Sequence, residues 1–207
     1  MASGKSSLLD VTNEIKIDHD NVRDLFQRYK NATNEDEKKL IANTLIREMA
    51  IHSDAEEISV YNDYKKLGLG DTAEHNKGTF HPSCYHCNQE HAEVKKLVYS
   101  ADSTSFGSAD YDGIMLNAVT AFLAHAKEEE DEQFDKLKAA LSPEDNDKMA
   151  RAFIKARGAA PPRPHPWAPQ TGGILQKAAA AQANIHDKVV ETFEGRKYVD
   201  LKYSHPE

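Results

Sequence analysis

The chain is short of several things. Among its 207 residues there are two cysteines, Cys84 and Cys87. Three positions apart, they make a poor staple for a long loop, so the expected compartment is a reduced, intracellular one, the cytoplasm. No apolar run approaches the ~20 residues that a membrane-spanning helix needs. The opening residues, Met1-Ala2-Ser3-Gly4-Lys5-Ser6-Ser7, lack the apolar stretch of a secretory leader. Positive charge is in deficit: 26 Lys and Arg stand against 34 Asp and Glu, a formal net charge of −8, which argues against binding a nucleic-acid backbone. No segment alternates apolar and polar residues convincingly, so no strand is expected. What remains is an all-α chain, long enough to bury a core without disulfide or zinc staples.

Apolar spacing near 3.6 residues predicts helices over about 10–30, 35–64, 84–100 and 111–140. Asn34 followed by Glu35-Asp36-Glu37 is a cap with acidic residues in the first turn, and Leu67-Gly68-Leu69-Gly70 is the expected stop of that helix. Ser142-Pro143 opens a fifth helix that should end at Gly158. Ala159 to Pro169 is proline-rich and expected to be extended, and an Ala-rich helical stretch over about 173–193 precedes a tail. The architecture that fits is an up-down-up-down four-helix bundle over residues 8–141. A C-terminal extension over 142–207 follows it (helix, Pro-rich segment 159–169, helix, tail) and packs on the bundle.

The chemistry lies in a repeated word. His52-Ser53-Asp54-Ala55-Glu56-Glu57 recurs as His125-Ala126-Lys127-Glu128-Glu129-Glu130, each His-x-x-x-Glu. Residues four apart share a helix face, so each word presents an imidazole beside a carboxylate. His19 and His91 occupy the apolar stripes of the other two helices. The bland account is four unrelated core histidines, but burying Glu56 and Glu129 without partners would cost several kcal/mol each, to an order of magnitude. Four imidazoles and two carboxylates converging on one interior make the inventory of a dinuclear metal site, imidazole suiting iron, copper or zinc. Cys84-x-x-Cys87 with His81, His86 and His91 offers a weaker zinc alternative, half of a knuckle with no second pair. Gly4-Lys5-Ser6 lacks the strand and upstream glycine of a phosphate loop and is expected to be a flexible terminus. His165 is expected to be a packing or linker residue, and His75, His186 and His205 surface residues.

Taken together, Ile17-Asp18-His19-Asp20 with Val22-Arg23, then His52-x-x-x-Glu56-Glu57, then Glu90-His91-x-x-Val94-Lys95, then His125-x-x-x-Glu129-Glu130, resemble the hemerythrin-like HHE cation-binding family. Pro162 to Pro169 is similar to a proline-rich segment that follows that domain in many fungal and bacterial members. The resemblance implies two non-haem irons with an oxo or hydroxo bridge. It assigns His19 and His52 to one iron, His91 and His125 to the other, and Glu56 and Glu129 to bridging. It also implies dioxygen, peroxide or nitric oxide as small ligands. Oxygen carriers of this kind use a further histidine one turn before the third-helix ligand, and here that position is Cys87, a possible additional ligand or a small core residue. A protein that binds or senses oxygen, iron or nitric oxide is the first expectation. A di-iron oxidase or peroxidase, with Tyr29 or Tyr61 as a proton source, is the second, and an interaction protein built on a metal-stabilised bundle is the third. No protein partner is indicated.

Overall fold

The computed structural model describes residues 7–60, 83–168, 180–187, 190, 192 and 195–206, and over 83–90 the backbone alone. Every regular element among the described residues is helical. Helix α1 (Val11–Asn31) starts where Asp10 accepts a hydrogen bond from the Thr12 amide, with Glu14 in its first turn and Arg28 and Lys30 in its last, so both ends of the helix dipole are matched. Helix α2 (Glu35–Ser59) is capped by Asn34, whose side-chain oxygen accepts from the Glu37 amide at 3.0 Å. Helix α3 spans Ser83–Ser103, and the chain then reverses through Gly107, held at φ +82° where a side chain would be strained. Helix α4 (Tyr111–Glu128) passes into a π-helical turn (Glu129–Gln133) and resumes as α5 (Phe134–Ala140). Helix α6 (Pro143–Ala159) begins as expected, with Ser142 as cap and Pro143 in the first turn.

The first four helices close into an antiparallel bundle, as two separate apolar clusters show. The upper one joins the C-terminal half of α1 (Val22, Leu25, Phe26, Tyr29) to the N-terminal half of α2 (Ile41, Leu45, Met49), the C-terminal half of α3 (Val94, Val98) and the start of α4 (Met115, Val119, Phe122). The lower one joins the opposite ends of α1 (Val11, Ile15) and α2 (Ala55, Val60) to Phe134 and Leu137 of α5 and to Met149 and Phe153 of α6. Helix α6 packs against α1 and α2, and its start is tied to theirs: the Leu9 and Val11 amides donate to Asp147 and Asn146 at 2.9 and 2.7 Å.

The fourth helix is not the continuous 111–140 rod that periodicity suggests. The π turn inserts an extra residue just past Glu129 and advances the inward stripe by about one position, so that Gln133, Phe134 and Leu137 are the buried residues. That brings Phe134 flat against the His19 ring, centroids 6.2 Å apart and planes 9° apart.

Residues 161–168 have no helix or strand, yet Pro161, Pro162, Pro164 and Pro166 are buried. Arg163 pairs with Asp102 of α3 at 2.7 Å and Trp167 meets Tyr99 edge-on. Residues 180–187 are helical and return to the segment through His165, whose Nε2 lies 2.8 Å from the Asp187 carboxylate. That hydrogen bond raises the His165 pKa above 6.5, against burial. Its stabilisation is therefore complete below the unfolded value of 6.5 and lost as pH rises through the higher folded value. His165→Gln should shift the urea midpoint more at about pH 6 than at about pH 9. An equal shift at both would show that the ion pair contributes nothing. His75, Tyr61, the Leu67–Gly70 stop and the glycine-lysine terminus lie outside the described residues.

Candidate metal centre

Between the two apolar clusters lies one polar layer, and the sequence words fall in it. The six side chains singled out from the sequence come together as two buried groups of four. His19, His52, Glu56 and Glu129 make one; Glu56, His91, His125 and Glu129 make the other. In each group one donor atom per residue lies within 4.8 Å of all the others. The carboxylates span the groups. Glu56 Oε2 is 3.5 Å from His52 Nε2 and 3.4 Å from His91 Nε2. Glu129 turns Oε2 to His19 Nε2 and Oε1 to His125 Nε2, each at 3.5 Å.

The donor set fits a cation. Nε2 of His19 and of His52 is buried with no hydrogen bond to a described residue, and stands off from a carboxylate by more than a hydrogen-bond length. Two nitrogens bound side by side to one ion at about 2.1 Å would lie roughly 3 Å apart. His91 Nε2 and His125 Nε2 are 2.8 Å apart. Burial lowers His52 to about 4 and, with the charge of His125, takes His91 well below the usual histidine range, so both present neutral lone pairs at neutral pH. Burial works against ionising Glu129, but the neighbouring His125 charge outweighs it and holds the carboxyl below its ordinary value. Metal binding needs neutral imidazole and ionised carboxylate. His52, His91 and Glu129 already meet that need. Burial lowers the His19 pKa, but Glu129 and Glu130 outweigh it and raise it, so His19 gives up a proton when a cation binds.

The layer has a back row. His19 Nδ1 donates to Glu130 Oε1 at 2.8 Å, and Arg23 donates to the same oxygen at 2.8 Å. His91 Nδ1 faces Glu57 Oε1 at 3.4 Å, and Lys95 donates to both Glu57 oxygens at 2.8 and 2.7 Å and to Asp54 at 2.6 Å. The doubled glutamates of the two words thus divide the work. The first of each faces inward between the groups; the second, about 100° around the helix, supports a histidine on a neighbouring helix. A complementary repeat answers them: His19-x-x-x-Arg23 on α1 and His91-x-x-x-Lys95 on α3 put a cation one turn past the histidine. Arg23, Glu57, Lys95 and Glu130 stand in the sequence pattern quoted above, but sequence reasoning gave them no role.

His52 is supported differently. Its Nδ1 lies 3.2 Å from Asp18 Oδ2, which also takes Arg157 of α6. Arg157 reaches Glu48 as well, at 2.7 Å. Burial pushes the Asp18 carboxyl up, but Arg157, His205 and His52 hold it well below the usual carboxylate range. His205, expected at the surface, is mostly buried against Asp18 and Glu14. His186 is exposed as expected. Tyr29 is no proton source for this layer: its hydroxyl donates to Asp112 at 2.5 Å at the far end of the bundle, about 15 Å along α1 from His19, and burial with that carboxylate raises its pKa. Phe122 packs edge-on against His19 and His52, at 5.9 and 5.0 Å, and Phe153 against His52 at 6.3 Å. The Cys84–Cys87 cluster and the Cys87 thiol lie outside the described side chains.

Residues 10–137 match the hemerythrin HHE cation binding domain. A hemerythrin-like protein of Schizosaccharomyces pombe, itself uncharacterized, is 26% identical over 184 residues, which is 89% of this chain and 86% of that protein. No solved structure gives a significant match. No helix among the described residues is long and apolar enough to cross a membrane.

Proposed function

Since this chain belongs to the hemerythrin HHE cation-binding family, we propose that its polar layer holds two non-haem irons and binds or senses a small ligand such as dioxygen, peroxide or nitric oxide, or iron itself. The observation that carries the reading is the pair of four-donor groups sharing two carboxylates. His19 and His52 would hold one iron, His91 and His125 the other, and Glu56 and Glu129 both. Iron bound there supplies a redox-active Lewis acid with positions open to a small ligand.

The surrounding residues do the rest. Glu130, Asp18 and Glu57 face the Nδ1 atoms of His19, His52 and His91, which turns each Nε2 toward the interior. Phe122, Phe134 and Phe153 press on the His19 and His52 rings and keep water from that side. None of the three can donate a proton, and Tyr29 is committed elsewhere. On that side the three rings supply no proton for turnover.

The test is metal analysis and absorption spectroscopy of protein produced with iron. About two irons per chain are expected, with oxo-bridge charge-transfer bands, and His52→Ala or His125→Ala should lower the content. Unchanged iron in both variants would overturn the ligand assignment. Sustained oxygen or peroxide consumption would make the protein an oxidase or peroxidase instead.

A further inference from the structure

Residues 195–206 have no helix or strand of their own, yet they are held to the bundle along their whole course. Arg196 pairs with Asp102 at 2.7 Å, and Asn43 donates to the Lys197 carbonyl at 3.2 Å. The Arg47 guanidinium lies over the Tyr198 ring, and the Val199 amide donates to Thr44 Oγ1 at 3.0 Å. Arg28 takes the Asp200 carbonyl, and Asn21 clamps Tyr203 through a reciprocal pair of 3.0 Å bonds to its backbone. The path runs from the upper end of the bundle down the α1 and α2 surface to the polar layer, and there it delivers His205.

His205 Nδ1 lies 2.8 Å from Glu14 Oε2 and Nε2 lies 2.9 Å from Asp18 Oδ1. Both acceptors are carboxylates, so both ring nitrogens donate and the imidazole bridges them as a cation. Its ring meets Phe153, the residue that also packs on His52. Asp18 is fully buried, and its two oxygens have separate duties. One takes His52 and Arg157; the other takes His205. The carboxylate that orients His52 is thus itself oriented from the outside by His205.

We propose that His205 is a positioning residue for the His52 half of the metal centre, acting through Asp18, and that residues 195–206 are the strap that seats it. The inference rests on the metal reading above. A strap that steadies the occupied site is steadied by occupancy in turn, because coupling between two sites is reciprocal. Iron retention and strap docking are one equilibrium seen from two ends.

The experiment uses the full chain, with and without iron, as wild type, His205→Ala, His205→Gln and Thr44→Val. Thr44 lies about 12 Å from His52 along α2, so Thr44→Val loosens the strap without touching the site. Three readouts apply: the rate at which a chelator removes iron, the spectroscopic signature of the His52-side iron, and hydrogen exchange at the Val199 and Tyr203 amides. His205→Ala should release iron at least about 10-fold faster, in the range for lost outer-shell partners of a metal site, and change the spectrum. His205→Gln, whose amide still donates to Asp18, should recover most of the loss. Thr44→Val should give a smaller change of the same sign, and serves the test should the His205 variants fold poorly. In the wild type, iron should slow exchange at Tyr203; in His205→Ala it should not. Wild-type protein with about two irons, joined to unchanged release and metal-independent exchange in the variants, overturns the strap while the metal reading stands. Wild-type protein that takes up no iron overturns both.

Discussion

Exchanging Glu56 and Glu129 together for glutamine is expected to abolish iron binding while leaving the iron-free protein as stable as before, or more so. Both carboxylates are buried, at no more than 1% exposure, among four histidines. Their desolvation costs several kcal/mol each before any partner is counted, and removing both charges of a buried pair, as happens when the partner imidazole also gives up its proton, is often neutral or stabilising. Glutamine keeps the shape and removes the charge. Burial already holds His52 and His91 neutral, and His19 keeps Glu130 as its partner. On the proposed reading the layer is a site maintained for its metal at the expense of the empty fold. Iron content should fall from about two per chain to near zero. In wild type, iron at a thousandfold excess over its Kd should add about 4 kcal/mol to stability for each iron site, and in the variant nothing. Paired urea titrations with and without iron measure both effects. A double variant that still holds iron, or whose metal-free form loses more than about 3 kcal/mol, would show that these carboxylates are structural.

Lys95→Met should be the most damaging single change in the back row, lowering stability by about 3–5 kcal/mol, the range for breaking a buried ion pair from one side. Lys95 is 3% exposed and donates to Asp54 and to both oxygens of Glu57. Burial alone would lower its pKa, but the two carboxylates outweigh burial and hold it protonated. Methionine fills the same space and leaves two acidic side chains together in a dry pocket. Adding Glu57→Gln should return part of the loss, so a double-mutant cycle separates the charge imbalance from lost packing. Arg23 holds the matching place on α1, but its side chain is 34% exposed, and Arg23→Met should cost about 1 kcal/mol or less. Equal costs at the two positions would refute this account.

The division between what was legible and what was not follows the range of each interaction. Helix limits and caps depend on neighbouring residues, so Asn34, Ser142 and Pro143 announced themselves in one dimension and appear where expected. The six-donor layer was legible for a related reason. Helical periodicity sets which residues share a face, and four faces carrying histidine have one interior to share. The paired glutamates and the cations one turn past His19 and His91 were also visible, but nothing local says which neighbouring helix a second glutamate faces.

The remaining features came from contacts that no periodicity encodes. The π turn shifts the stripe beyond Glu129 and brings Phe134 onto His19, a tertiary contact. Arg157 meets Asp18 across 139 positions, and His205 meets it across 187. A histidine in a polar segment, with no amphipathic stripe around it, reads as a surface residue. Only the route of residues 195–206 over the bundle brings His205 beside a buried carboxylate. By itself the sequence determined an all-helical chain with four imidazoles and two carboxylates turned to one interior, because those properties rest on helical repeat and residue chemistry. The tertiary structure decided how the donors divide into two groups with shared carboxylates, and which distant side chains hold them there, because hydrogen bonds and close packing depend on positions in space and not on spacing along the chain.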